Sequence, residues 1–123
     1  MKLLIDTHIL VWMVLGDQRL TAEQHNALAN PDNDIVLSAV NAYELAHLQH
    51  LRRIPLEEPI DQLQELVGFE LADLPASAWT KVKDLPDLHR DPLDRLLVAH
   101  ALVSGMTLVS ADQCIRQYPV MVI

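Results

Sequence analysis

The sequence predicts an α/β fold, a three-layer sandwich whose central sheet is mainly parallel and is covered by helices on both faces. Short apolar runs of strand length alternate with segments in which apolar residues recur at helical spacing. Strands that alternate with helices favour parallel pairing through right-handed crossovers. The chain has 123 residues, which suits one domain, so we expect a single domain over residues 1–123.

The first part of the chain predicts two units in which a strand leads into a helix. The apolar run 2–5 reads as a strand, and 9–14 continues as a helix without an intervening turn residue. Thr21 opens a short second helix. A second buried strand is expected over 35–37, followed by a helix from Asn41 onward.

The rest of the chain continues this alternation. Its clearest helix begins at Pro92, because proline suits the first helical position, and it ends before Gly105. The other predicted elements are helices over 60–67, 75–85 and 111–117, and strands over 69–72, 107–110 and 120–123.

The composition excludes several classes of protein. Half of the residues are hydrophobic, and glycine and proline are few, which excludes a collagen-like or disordered chain. The one cysteine, Cys114, cannot form an internal disulfide, so nothing requires an oxidising compartment. Charged residues interrupt every apolar run before it reaches the roughly 20 residues that span a bilayer. We therefore expect a cytoplasmic protein without a membrane anchor.

The chemical signal is a set of single carboxylates placed where the predicted strands end or in the early turns of the helices that follow. In an open parallel sheet the carboxyl ends of the strands border one crevice, the usual ligand site. Acids gathered there repel one another unless a cation neutralises them, and oxygen ligands favour Mg²⁺ or Mn²⁺ over zinc. The four acids are Asp6, Glu44, Asp94 and Asp112.

Each acid also has a purely structural interpretation as a helix cap or a partner of the helix dipole. Asp6 is well suited to cap the first helix. Glu44 completes a capping-box pattern that starts at Asn41, and Asp94 suits the dipole of a helix that Asp91 caps. Taken singly, the two interpretations stay open. The recurrence of acids at positions that the fold brings together favours a shared site.

A divalent cation in such a crevice would serve phosphodiester hydrolysis. The ion activates water and stabilises charge on the departing oxygen, so no side-chain nucleophile is needed. The formal net charge of −8 argues against a broad basic surface for nucleic acid. Bound metal reverses the local sign of the charge, so the substrate phosphate can bind there.

Four segments carry a family resemblance that covers nearly the whole chain. They are Asp6-Thr7, Glu44 after Leu37-Ser38-Ala39, the stretch His89–Ala101, and Leu108–Asp112. Together they resemble the PIN-domain ribonucleases, particularly the toxin components of VapBC-type toxin–antitoxin pairs. The stretch from His89 to Ala101 is the most specific part of the match.

The resemblance implies a PIN-like fold and a metal-dependent endoribonuclease that cuts RNA. It implies that the four acids form the quartet that binds Mg²⁺ or Mn²⁺, that Ser110 is the small hydroxyl residue near the fourth acid, and that Thr7 is a supporting hydrogen-bonder. It also implies a cognate antitoxin that blocks the crevice, and dimers or larger assemblies. The chain lacks a further acid after Asp112, so one-metal and two-metal mechanisms both remain open.

Basic residues near the predicted crevice are candidates for RNA contacts. Arg90 and Arg95 flank Asp94, where they can engage substrate phosphates or pair with acids. His89 and His8 lie close to the same region in the predicted fold.

Two non-enzymatic alternatives stay open. A phospho-receiver domain also places acids around Mg²⁺, but it would need paired acids after the first strand and a late lysine, whereas Asp6 stands alone. A PIN-like scaffold that binds a partner without cutting would be favoured if the four acids lay far apart.

Overall fold

The computed structural model describes residues 1–88 and 91–123 of the chain. In these residues, helices and strands alternate as the periodicity predicts. The strands are β1 (Lys2–Ile5), β2 (Asp34–Ser38), β3 (Glu70–Ala72) and β4 (Thr107–Val109). The helices are α1 (Thr7–Leu15), α2 (Ala22–Ala29), α3 (Ala39–His50), α4 (Ile60–Val67), α5 (Ser77–Lys83) and α6 (Pro92–Ser104), and a 3₁₀ turn spans Ile115–Gln117.

Within the described residues the strands form one parallel sheet with the order β3-β2-β1-β4. β1 pairs with β2 in the register Leu3 to Ile35, and with β4 in the register Leu4 to Leu108. The prediction of a mainly parallel sheet is therefore confirmed. The chain moves from β1 to β2 on one side and returns to β4 on the other, so the order reverses between β1 and β4. A crevice at the carboxyl ends of these two strands is the expected ligand site.

Helices cover both faces of the sheet, as a three-layer sandwich requires. Successive residues of a strand point to opposite faces. Leu3 and Ile5 pack in one buried cluster with Leu10 of α1 and Leu45 of α3, whereas Leu4 packs on the other face in a cluster dominated by α6. Each face gains apolar burial of roughly 1.5–3 kcal/mol per large side chain, which holds the helices against the strands.

The region after β4 differs from the prediction. The helix expected over 111–117 is reduced to the 3₁₀ turn, and the strand expected over 120–123 is an isolated parallel bridge between Leu108 and Val122. The Leu108 amide donates to the Met121 carbonyl, and the Ile123 amide donates to the Leu108 carbonyl, both at 2.8 Å. The segment thus pairs with β4, but over too short a length to form a regular strand.

The second strand leads into its helix earlier than predicted. Ser38 is the N-cap of α3, and its Oγ accepts a hydrogen bond from the Val40 amide at 3.1 Å. The capping box expected from Asn41 to Glu44 is therefore wrong, because Asn41 already lies in the first turn of α3. A capping box instead joins Thr21 and Gln24 at the start of α2.

Two further observations bear on the class of protein. No helix among the described residues combines the length and the apolar character needed to cross a membrane. The strand order also differs from the order 2-1-3-4-5 of doubly wound receiver-type sheets. This second observation weakens the phospho-receiver alternative.

Candidate active site

A polar cavity of about 380 Å³ opens where β1 and β4 end. All four acids predicted from the sequence line it, and so do Thr7, the predicted supporting hydrogen-bonder, and Asp91, the predicted cap of the helix that carries Asp94. The acids are thus not far apart, which removes the condition that favoured a non-cutting scaffold. The full lining consists of Asp6, Thr7, His8, Trp12, Glu44, Asp91, Asp94, Ala111 and Asp112.

Asp6 lies at the junction of β1 and α1. Its Oδ1 accepts a hydrogen bond from the Ile9 amide at 2.9 Å, so it is the N-cap of α1. Its own amide donates to the Val109 carbonyl at 3.2 Å, which ties the junction to the end of β4. The Asp6 carboxylate therefore caps α1 and also lines the cavity, because the junction between β1 and α1 borders the cavity.

The Asp6 carboxyl is buried, and burial raises its pKa above the ordinary value of 3.8. Hydrogen bonds from Ser110 and the Ile9 amide, together with the nearby His8, oppose this rise, whereas the Glu44 charge adds to it. Burial dominates. The ionised form of Asp6 is thus held in an unfavourable environment that a cation would relieve.

Glu44 enters the cavity from the second turn of α3, and Asn41 lies one turn before it on the same helix. The Asn41 Nδ2 donates to the Thr7 Oγ at 3.1 Å in a buried contact that joins α3 to α1. Sequence reasoning assigned Asn41 only as a cap. The available signal was its spacing of three residues from Glu44, which places both side chains on one side of the helix.

Asp94 enters from the first turn of α6. Asp91 is the N-cap of that helix, and its Oδ1 accepts from the Leu93 amide at 3.0 Å. Pro92 at the first helical position needs no donor there. The sequence therefore fixes the start of α6, and with it the place of Asp94.

Asp112 follows β4 and is connected to Asp6 through Ser110. The Asp112 amide donates to the Ser110 Oγ at 3.1 Å, and the Ser110 hydroxyl hydrogen-bonds to the Asp6 carboxylate. The Asp112 Oδ1 accepts from the Cys114 amide at 2.8 Å. Ser110 is fully buried. It connects Asp6, which follows β1, with Asp112, which follows the adjacent strand β4.

Of the basic residues predicted to contact RNA, Arg95 does not line the acidic cavity. The Arg95 guanidinium donates to the carbonyl oxygens of Pro86, Val82 and Leu85 at 2.7–3.3 Å, and to the Tyr118 hydroxyl at 3.2 Å. Arg95 lines a separate apolar cavity beside Trp79. It therefore joins α5 to α6 instead of facing the acids. His89 and Arg90 lie outside the described residues.

The donor set suits a hard divalent cation. The cavity offers carboxylate and hydroxyl oxygens, and no cysteine lines it. Among residues 1–88 and 91–123, no three His, Cys, Asp or Glu side chains converge closely enough to form a ready-made metal cage. Mg²⁺ does not need such a cage, because it keeps several waters and binds proteins through one or two carboxylates.

Larger cavities, of about 750, 660 and 440 Å³, lie elsewhere in the described residues. The first two are lined mainly by apolar residues around Trp79 and Met13 respectively, and the third lies beside Arg52. None of these three contains any of the four acids. The cavity of about 380 Å³ is therefore the candidate site, because the four carboxylates converge on it.

Comparison with known proteins agrees with this architecture. The family model for the PIN domain matches residues 3–120. The chain is 32% identical over 118 residues to Ribonuclease VapC22 of Mycobacterium tuberculosis, an alignment that covers 94% of this chain and 90% of that protein.

Solved structures show the same fold at lower sequence identity. VapBC2 from Rickettsia felis, bound to a DNA fragment from its promoter, superposes with a TM-score of 0.70 at 20% identity, covering 100% of this chain and 98% of that chain. DNA-bound VapBC from Salmonella typhimurium superposes with a TM-score of 0.71 at 15% identity, covering 100% and 97%. The sequence matches, together with this fold, show that the chain belongs to the PIN-domain family.

Proposed function

We propose that this protein is a divalent-metal-dependent endoribonuclease and the toxin of a type II toxin–antitoxin pair. The observation that carries the proposal is the single cavity lined by Asp6, Glu44, Asp94 and Asp112, which reach it from four separate segments of the chain. The 32% identity to a protein named as a ribonuclease supports the same activity.

In this proposal Mg²⁺ or Mn²⁺ binds in the cavity among the four carboxylates, directly to one or two of them and to the others through its bound waters. When bound, the ion activates the attacking water and neutralises charge on the phosphate and the departing oxygen. Asp6 is oriented by the Ile9 amide and Ser110, so one of its oxygens is fixed before any ligand arrives. Glu44 and Asp94 approach from α3 and α6, which pack against each other. The chain thus places these two acids on helices that contact each other.

Electrostatics make RNA cleavage depend on the cation. The chain carries a formal net charge of −8, and the cavity is lined by carboxylates, so a phosphodiester is repelled from the metal-free site. With metal bound, the local sign is reversed. We therefore expect no cleavage in EDTA and recovery when Mg²⁺ or Mn²⁺ is restored.

The proposal includes a protein partner. The structural relatives from Rickettsia felis and Salmonella typhimurium are VapBC complexes. We propose that a cognate antitoxin covers the acidic cavity, that the pair assembles as a homodimer or larger complex, and that both act in the cytoplasm on RNA.

The direct test is replacement of one acid. Asp94→Asn removes a charge from the cavity at nearly constant volume, and we expect it to abolish cleavage of total RNA and growth inhibition. Asp6→Asn gives the same loss while an asparagine still caps α1. Asp61→Asn, at an exposed position in the first turn of α4, is the matched control and keeps full activity. Full activity of Asp94→Asn in Mg²⁺ or Mn²⁺ would refute the mechanism.

A further inference from the structure

We propose that Asn41 is a positioning residue that makes the Thr7 hydroxyl a hydrogen-bond donor to a phosphate oxygen of the RNA substrate. The inference rests on the proposed ribonuclease function and adds a substrate contact that the acids cannot provide. It depends on the contact between α3 and α1, and on how many hydrogen bonds one hydroxyl can make.

The contact is buried and joins two helices of the site. Asn41 is 4% exposed and Thr7 is 1% exposed, and the Asn41 Nδ2 donates to the Thr7 Oγ at 3.1 Å. Thr7 follows Asp6 directly, and it lines the acidic cavity. Asn41 therefore acts on the cavity through Thr7.

A threonine hydroxyl has one hydrogen to donate and two lone pairs that accept. The Asn41 amide uses a lone pair of the Thr7 Oγ, so the hydroxyl hydrogen remains available to an acceptor elsewhere. In the described part of the chain, Thr7 makes no second side-chain hydrogen bond. Thr7 therefore borders the cavity and has an O–H group that no described residue accepts from.

Ser110 shows the same arrangement on the other side of Asp6. Its Oγ accepts from the Asp112 amide, and its hydroxyl then hydrogen-bonds to the Asp6 carboxylate. In both residues an N–H group occupies the oxygen as an acceptor and leaves the O–H to donate. The Ser110 donor is used by Asp6, whereas the Thr7 donor is not used by any described residue.

A phosphate in this cavity needs a donor. The carboxylates that line it only accept hydrogen bonds when ionised, and phosphate oxygens also only accept. Thr7 lines the cavity and carries an O–H group but no charge. A hydroxyl that already accepts from Asn41 is pre-oriented to donate to the charge that develops on the phosphate.

The carbonyl oxygen of the Asn41 side chain supports a role for this residue beyond packing. The Asn41 Oδ1 is buried and has no hydrogen-bond partner among residues 1–88 and 91–123. A buried polar atom without a partner destabilises the fold, so an apolar side chain of similar volume would serve packing better. The useful part of this side chain is the amide N–H group that contacts Thr7.

The test compares Thr7→Val, Asn41→Leu, the double variant and Thr7→Ser in the full chain. The substrate is a labelled oligoribonucleotide that contains a cut site mapped on total RNA, with Mn²⁺ present. We expect Thr7→Val and Asn41→Leu each to lower kcat about tenfold with KM nearly unchanged, the size of one hydrogen bond to a charged group. Thr7→Ser keeps the hydroxyl and restores most of the rate. Thr80→Val, at an exposed position in α5, is the matched control.

The double variant shows whether Asn41 acts through Thr7. If it does, Thr7→Val with Asn41→Leu is no slower than Thr7→Val alone, because the second change removes a contact that no longer matters. Losses that multiply would overturn the proposal, as would a wild-type kcat in Thr7→Val. Melting temperatures are measured in parallel. If Asn41→Leu does not fold, Asn41→Ala replaces it in the same comparison.

Asp94→Asn separates this inference from the function on which it rests. If Asp94→Asn is inactive and Thr7→Val cuts like the wild type, the proposed function stands and the role of Asn41 is refuted. If Asp94→Asn is fully active, the proposed function fails first.

Discussion

Asp6 shows how a single residue serves the site at a cost to the fold. It caps α1, yet its ionised carboxyl is buried and its pKa is raised above 3.8. Between 3.8 and that raised pKa the folded state binds more protons than the unfolded state. The resulting destabilisation is absent in acid, grows as the pH rises through this window, and is complete above the raised pKa.

We therefore expect Asp6→Asn to raise the free energy of unfolding at neutral pH in EDTA, because asparagine keeps the cap and removes the buried charge. The gain shrinks as the pH falls toward 3.8. Asp6→Ala removes the cap as well and forfeits about 0.5–2 kcal/mol relative to Asp6→Asn. Urea unfolding at several pH values measures all three proteins. An Asp6→Asn protein that is less stable than the wild type at neutral pH would contradict this expectation.

At this scale the sequence pointed to the acids, and the family resemblance pointed to Thr7 and Ser110, but neither indicated that Asn41 contacts Thr7. A carboxylate directly after a strand, such as Asp6, is visible because parallel strands end at one edge of the sheet. Asn41 was assigned only as a cap, since the start of α3 at Ala39 depends on Ser38 and its buried neighbours. Burial of one helix face is decided by packing, which a single sequence does not show.

At the scale of elements, one buried hydrogen bond connects α3 to α6. The Ser38 Oγ lies 2.8 Å from the His100 Nδ1, and the same oxygen accepts from the Val40 amide. The two helices carry Glu44 and Asp94 respectively. This pair therefore fixes how the acids of separate helices lie relative to each other.

Burial lowers the pKa of His100 below 6.5, so the unfolded state takes up a proton before the folded state does. Neutral His100 makes its full contribution to the free energy of unfolding above pH 6.5. This contribution is lost as the pH falls through 6.5 toward the lowered pKa of the folded state. We expect His100→Gln, whose amide can still bond Ser38, to lose less stability than the wild type across this range. Urea unfolding across the range measures both slopes, and equal slopes would contradict the expectation.

The prediction of elements succeeded where periodicity extends over several turns and failed where elements are short. Pro92 and Gly105 mark the ends of α6 as expected. The expected helix over 111–117 is only a 3₁₀ turn, because Ser110 and Asp112 bond to nearby amides and hold a local turn there. Such bonds between side chains and the backbone compete with helix formation.

At the scale of the whole molecule, binding of a metal ion is linked to the stability of the fold. A ligand that binds only the folded state stabilises it by about 2.7 kcal/mol at a concentration of 100 times its Kd. We expect Mn²⁺ or Mg²⁺ to raise the Tm of the wild type and to have a smaller effect on Asp112→Asn. Thermal melts with EDTA as the reference measure this. An unchanged wild-type Tm in millimolar metal would count against a cation site.

The alternation of strands and helices sufficed to predict a parallel three-layer fold. It did not fix the order β3-β2-β1-β4, because right-handed crossovers allow more than one order. The sequence therefore predicted that the acids share a crevice, but not that the order reverses between the strands that precede Asp6 and Asp112.

The inner position of β1 has a consequence for how activity is acquired during folding. Its neighbours in the sheet are residues 34–36 on one side and 107–109 on the other, so Asp6 meets Asp112 only after distant parts of the chain have paired. Pairings of high sequence separation are slow to form. A partly folded chain is consequently inert toward RNA, and cleavage should return with the slowest refolding phase.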